Sequence, residues 1–300
     1  MHCGRSARSV SGPYPGAPGE QTEPVEFTYR TRAPSTRLDR FVEVLWYARG
    51  TIGYRRERIA PTGSCVAVVV LGAPIIETPT TTGVPLLASE GFVIGPHDGP
   101  VINEPTGETH AVGVVLTPVG CRAVLGLDPA TLRGDVVDLL AVWPPARPLR
   151  AALLGASDPE ALLALLDAAL QEHLDDASPC VDLCSQAVAL LDAEPTVEIG
   201  VLARKLGVSH GHLDREFVRM VGLTPRSLGR VLRLRRVLAA VDVFGEISWT
   251  RVAADWGWFD QSHFIRDFRR HTGVTPSEYV RAQRAEFETD DAAPGFVPDR

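Results

Sequence analysis

Residues 259–280, FDQSHFIRDFRRHTGVTPSEYV, gather Gln261, Ser262, His263, Arg266, Arg269 and Arg270 within one short segment. These side chains suit a base edge or a phosphate. Arg can fork onto guanine O6 and N7, Gln onto adenine N6 and N7, and Ser or His can donate or accept. The flanking Arg269 and Arg270 are better phosphate partners than base readers. With Asp260 as a helix cap, the helical period puts Phe264, Ile265 and Phe268 on one side and Ser262, Arg266 and Arg269 on another. One side is built to be buried and the other to be offered.

The elements that must position them occur twice. Leu213-x-Arg215-x-Phe217-x4-Gly222-x-Thr224-Pro225 recurs as Phe264-x-Arg266-x-Phe268-x4-Gly273-x-Thr275-Pro276, at an offset of 51 residues. Upstream, Ala203 and Gly207 recur as Ala253 and Gly257 at an offset of 50, so the second copy has one more residue in its turn. Each copy reads as helix, Gly-containing turn, helix. An Ala packs inside the first helix, a Gly takes positive φ, and Ser209 or Asp260 caps the second helix. Thr224-Pro225 and Thr275-Pro276 open new helices as cap and first-turn proline, and PRSLGRVLRLRRVLAAVDV is long enough to be a rigid strut between the copies.

Charge supports a nucleic-acid partner once its distribution is considered. The chain is acidic overall, with a net charge of −7, but residues 196–285 hold 15 Lys or Arg against 9 Asp or Glu, a net of +6. The remainder holds 15 and 28, a net of −13. An acidic body carries a basic module.

With 300 residues and 45% hydrophobic content, the chain can build two ordinary domains. Five cysteines without framework spacing fit a reducing compartment, hence the cytoplasm, and the longest strongly apolar run, Cys65 to Leu71, is too short to cross a bilayer. Residues 1–25, with four Gly and four Pro, and residues 287–300 read as disordered tails. From about Glu26, FTYR, FVEVLWYAR, CVAVVVLG, GFVIGP and HAVGVVLTPVG read as strands separated by Gly, Pro and Thr clusters such as APIIETPTTTGVP. In HAVGVVLTP both alternating faces are largely apolar, as in a strand lining a barrel or sandwich. Helical patterns over residues 146–190 then form a connector, its second helix capped at Ser157 or Asp158 with Pro159 just inside.

Residues 199–281, with LARKLGVSHGHLDREFVRMVGLTP and VAADWGWFDQSHFIRDFRRHTGVTPSEYV, resemble the two-module DNA-binding domain of AraC/XylS-type transcriptional regulators. RLDRFVEVLWYARG, the CVAVVVLG run and THAVGVVLTPVGCRAVLGLDPATLRGDVVDLL resemble the N-terminal domain of one actinobacterial-type subgroup. The resemblance implies that the second helix of each module enters successive major-groove segments. Carried over by motif position, the contacts are Gly211 and Arg215 in the first copy, and Gln261, Ser262, His263 and Arg266 in the second; Ser209 and His210 beside them, and Arg269 and Arg270 as phosphate partners, complete the candidate DNA contacts. The first copy departs from the pattern: Gly211 and Val218 stand where the second has Ser262 and Arg269, and Asp214 brings a negative charge.

Other chemistries fit less well. Cys180 and Cys184 resemble half of the four-thiolate zinc site of AraC-like methyl sensors, but no C-x-x-C pair accompanies them. A cupin-like metal enzyme needs a close His-x-His pair, whereas His97 lies in GPHDGP and Glu108 and His110 stand two apart. The expected architecture is α+β. A β-rich, cupin-like or barrel-like effector or dimerisation domain (26–145) leads through a helical connector (146–190) to an all-α domain with two helix-turn-helix modules (191–286). The expected function is sequence-specific DNA binding in transcription, without catalysis, metal or cofactor. Double-stranded DNA is the main partner; RNA polymerase, a small-molecule effector and a second copy of the chain are further candidates. Trp46, Tyr47 and His110 are candidate effector contacts, with Trp46 and Tyr47 open to either a core or a pocket role. Two alternatives stay open: an N-terminal domain that only dimerises or docks a protein, and an enzyme domain fused to a DNA-binding module.

Overall fold

The strand Thr109–Leu116, THAVGVVL, is apolar on both faces because both are covered. Successive side chains alternate across a strand, and here Val112, Val114 and Leu116 enter a core shared with helices, while Ala111 enters a separate core against a second sheet. The computed structural model describes residues 27–175, 180–288 and 294–299. The expected N-terminal tail lies outside them.

The strands are β1 (Thr28–Arg32), β2 (Val42–Gly50), β3 (Arg56–Ile59), β4 (Val66–Val70), β5 (Ile75–Pro79), β6 (Leu86–Ala88), β7 (Gly91–Ile94), β8 (Val101–Pro105), β9 (Thr109–Leu116), β10 (Val136–Asp138) and β11 (Phe296–Asp299). They form two antiparallel sheets, ordered β1-β2-β9-β4-β7-β10 and β11-β3-β8-β5-β6. The last strand corrects the expectation of a disordered C-terminal tail. Val297 is buried, and Phe296–Asp299 adds to the β3 edge in register with Arg56–Ile59, so the chain returns from its C-terminal helices to the N-terminal domain. A Pro at 298 and only one apolar pair hid this strand in the sequence.

Between the sheets lies an unusual polar ladder. Glu57 of β3, Asn103 of β8 and Glu77 of β5 are neighbours in register. Asn103 Nδ2 donates to Glu77 Oε1 at 2.5 Å, and the Tyr54 hydroxyl donates to Glu57 Oε2 at 2.7 Å. Burial raises the Glu57 carboxyl to about 7 and that of Glu77 to about 8, the latter with a further contribution from Glu57. Among the described residues, Glu77 Oε2 has no hydrogen-bond partner.

The helices are α1 (Gly120–Leu125), α2 (Leu139–Val142), α3 (Ala146–Leu154), α4 (Pro159–Glu172), α5 (Cys180–Ala193), α6 (Ile199–Lys205), α7 (His210–Val221), α8 (Pro225–Ala240), α9 (Trp249–Asp255), α10 (Gln261–Thr272) and α11 (Pro276–Glu286). Asp158 caps α4 through the Ala161 N–H, with Pro159 at the first position. The expected boundary at 190/191 falls inside α5, which runs to Ala193 and packs on α7 and α8. One continuous apolar core joins the first sheet and α4 to α5 and α7, whereas α9 to α11 surround a second core of Trp258, Phe264, Phe268 and Tyr279. Both cysteines of the C-x3-C pair lie on the packed side of α5, Cys184 fully buried.

Candidate nucleic-acid interface

The two copies of the repeat are built alike. The Ser209 hydroxyl accepts from the His212 N–H at 3.2 Å, and the Asp260 carboxylate accepts from the His263 N–H at 2.7 Å, so each cap starts its helix where the sequence places it. Gly207 and Gly257 sit in the turns with φ of 70° and 78°, a left-handed conformation that favours glycine. Leu213 and Phe217 on α7, like Phe264 and Phe268 on α10, are buried, and both helices end at left-handed Gly222 and Gly273. Thr224 and Thr275 then cap α8 and α11 ahead of Pro225 and Pro276.

What the helices offer differs. On α10, Gln261, Ser262, Arg266 and Arg269 are exposed and His263 is half-buried. Thr250 Oγ1 donates to Gln261 Oε1 at 2.8 Å, which fixes that side chain and leaves its amide hydrogens outward. The carboxylate of Asp267 is already engaged: Trp258 Nε1 donates to it at 3.0 Å, and the Arg233 guanidinium, lying over the Trp258 ring at 3.7 Å, reaches it at 3.3 Å. Among the described residues, neither Arg266 nor Arg269 is in an ion pair. On α7, Ser209, His210, Gly211 and Arg215 are exposed. A Cβ on Gly211 would lie 3.6 Å from Arg215 Nη1, an ordinary contact, so the guanidinium reaches back along α7 toward its N-terminal turn. Asp214 faces His210 Nε2 at 3.4 Å.

Arg270 departs from its expected phosphate role. It pairs with Asp98 at 2.7 Å, and the neighbouring buried His271 has Nδ1 2.5 Å from the Asp98 carbonyl. Asp98 belongs to the GPHDGP loop of the N-terminal domain, which touches the ends of both second helices. A Cβ on Gly222 would meet Pro96 and the Pro129 carbonyl, and one on Gly273 would meet Pro100 and Arg58. One loop thus braces α7 and α10 at their C-terminal ends, while their capped N-terminal halves are solvent-exposed. Sequence reasoning placed His97 in this loop and missed its contacts.

Of the three candidate effector residues, Tyr47 and His110 are brought together and Trp46 is not. Trp46 lies over Gly113 in the space between the sheets and stacks on Tyr29 at 6.2 Å, whereas Tyr47 is buried on the opposite face, edge-on to His110 at 5.8 Å. Adjacent strand residues cannot share a face.

Comparison with known proteins agrees with this geometry. A helix-turn-helix domain family matches residues 202–282, and a domain of unknown function, DUF6597, matches residues 30–138. The regulatory protein SoxS of Salmonella typhimurium is 41% identical over 85 residues, covering 28% of this chain and 77% of SoxS. The probable transcription factor PqrA of Proteus vulgaris is 34% identical over 85 residues, covering 28% of this chain and 67% of PqrA. This chain belongs to the AraC/XylS-type transcriptional regulators. It is a DNA-binding regulator with an N-terminal β-rich domain and a C-terminal tandem helix-turn-helix domain. Among solved structures, ToxT from Vibrio cholerae is similar with a TM-score of 0.46 and 11% identity, over 85% of this chain and 98% of that one. Among the described residues, no helix is long and apolar enough to cross a membrane.

Proposed function

We propose that this regulator reads its operator chiefly with the N-terminal half of α10. Gln261, Ser262, His263 and Arg266 meet base edges, Arg269 meets phosphate, and Ser209, His210, Gly211 and Arg215 on α7 add a weaker reading of a neighbouring major-groove segment. The carrying observation is Arg266: exposed, outside any ion pair among the described residues, and mounted on a helix whose other face is fully buried through Phe264 and Phe268. A guanidinium so presented can fork onto guanine O6 and N7. The protein acts by binding rather than catalysis, in the cytoplasm. Residues 26–145 form its effector or dimerisation domain and 146–190 the connector, and RNA polymerase is the downstream partner.

The N-terminal domain controls how α7 and α10 are presented, because the loop at 95–100 braces both. Glu77 Oε2, between the sheets and without a partner among the described residues, supports a small-molecule effector that accepts a hydrogen bond from the protonated carboxyl there. The test is selection of duplexes from a randomised library by the full-length chain and by Arg266→Ala. The variant is expected to relax selectivity at one base pair and to lose about 1–3 kcal/mol, the usual worth of a bidentate base contact. Unchanged selectivity would sink the assignment of α10.

A further inference from the structure

The two helix-turn-helix turns differ in length, and the difference is one residue that can be named. The Val208 N–H donates to the Ala203 carbonyl at 3.1 Å and the Trp258 N–H to the Ala253 carbonyl at 2.8 Å, so Val208 and Trp258 are equivalent. The caps Ser209 and Asp260 are also equivalent. The additional residue of the second turn is therefore Phe259, and it is 93% exposed.

Packing does not account for it. An apolar residue just before a helix cap commonly packs on the fourth helical residue and fixes the incoming chain. In the first module Val208 holds that position and packs into the core that contains Leu213. In the second, the place over Phe264 is filled by Trp258, edge-on with centroids 5.0 Å apart, and by Trp249, stacked at 5.7 Å. Phe264, Phe268 and Tyr279 continue this ring cluster, and Phe259 stands outside it. A polar residue would serve an exposed turn at least as well. The ring lies directly before Asp260 and Gln261, at the end of α10 that carries the base-reading side chains.

We propose that Phe259 is a specificity-determining residue that seats its ring on the C5 methyl of a thymine in the major groove, next to the base pair met by Gln261. This rests on reading α10 as the base-reading helix. The thymine methyl is the apolar mark on a base edge in that groove, and aromatic or small apolar side chains recognise it. Phosphate, the other prominent surface near a turn, offers charge that a phenyl ring cannot use, and the deoxyribose carbons recur at every nucleotide and so carry no sequence preference.

The test uses the full-length chain and the duplex it selects from a randomised library, with each thymine of the site replaced in turn by uracil, which removes only the methyl. One replacement is expected to weaken wild-type binding roughly threefold to fivefold, the worth of one buried methyl. Phe259→Ala should bind the thymine site more weakly by a similar factor, ignore that replacement, and unfold at the wild-type temperature. Phe259→Leu should keep part of the preference. The inference is overturned if no uracil replacement matters, if the selected site has no thymine there, or if Phe259→Ala equals wild type or weakens every duplex alike. Should Arg266→Ala relax selectivity while Phe259→Ala does not, this inference fails alone; if wild type selects no sequence, it fails together with the reading of α10.

Discussion

Arg215 and Arg266 hold the same position on two copies of one scaffold, so their neighbours decide what each can do. Beside Arg266, the Asp267 carboxylate is occupied by Trp258 and Arg233. Beside Arg215, Asp214 is 44% exposed at its side chain and, among the described residues, its ion-pair contact is with the imidazole of His210. A free carboxylate repels phosphate at groove distances. Asp214→Asn is therefore expected to tighten DNA binding without changing which sequences are selected, and Arg215→Ala to cost less than Arg266→Ala. Titration of the three variants against one selected duplex measures this, and a larger loss for Arg215→Ala would make the first module the main reader. Residue types and spacing made these positions legible in the sequence, because a base-reading helix needs donors and acceptors on one face. Arg270 was not legible: its partner Asp98 lies 172 residues away, and nothing local distinguishes a phosphate-binding arginine from one braced against another domain.

At the level of elements, legibility followed burial. The strands expected from sequence correspond to β1, β2, β4, β7 and β9, all in the first sheet, which is covered on both sides and so spelled in valine, leucine and phenylalanine. Every strand of the second sheet was missed. IIETP, for example, buries only alternate residues and carries Glu, Thr and Pro, so it reads as a loop. The most consequential chemistry of that sheet, Glu57 and Glu77 between the layers, sat inside those missed strands. Both carboxyls are raised above their ordinary value of 4.5, to about 7 and about 8, so the fold favours their protonated forms. The stability this contributes is complete below about pH 4.5, where the unfolded chain is also protonated, and is lost as pH rises through 7 to 8. Glu77→Gln keeps the shape and cannot ionise. Its melting temperature should match wild type near pH 5 and exceed it by several degrees at pH 8.5; an equal or lower value at pH 8.5 would mean that the Glu77 carboxylate is stabilised by a partner.

Across the whole molecule, the GPHDGP loop makes the two reading helices answer to the N-terminal domain. Gly222 and Gly273 are both left-handed, and an Ala at either costs about 1–2 kcal/mol from the backbone alone. Their surroundings differ. A Cβ at 222 would come within 2.6 Å of the rigid Pro129 carbonyl, whereas one at 273 meets the Arg58 side chain at 3.0 Å, which can move. Gly222→Ala should therefore lower the melting temperature more than Gly273→Ala, and the reverse order would mean that the segment around Pro129 yields more easily than the Arg58 side chain. Asp98, between the two contacts, has an electrostatic consequence. Its ion pair with Arg270 withdraws one cation from a module whose net charge is +6, in a chain whose remainder is strongly acidic. Asp98→Asn leaves the backbone carbonyl on His271 in place and removes only the side-chain charge, so Arg270 is released toward phosphate. Each phosphate contact contributes about −0.9 to the slope of log K against log salt. Asp98→Asn is expected to steepen that slope by about one contact's worth and to raise affinity for selected and unselected duplexes alike. Adding Arg270→Ala to it should restore the wild-type slope. An unchanged slope in Asp98→Asn would show that Arg270 lies too far from the DNA backbone to act, and that its pairing with Asp98 serves the domain contact alone.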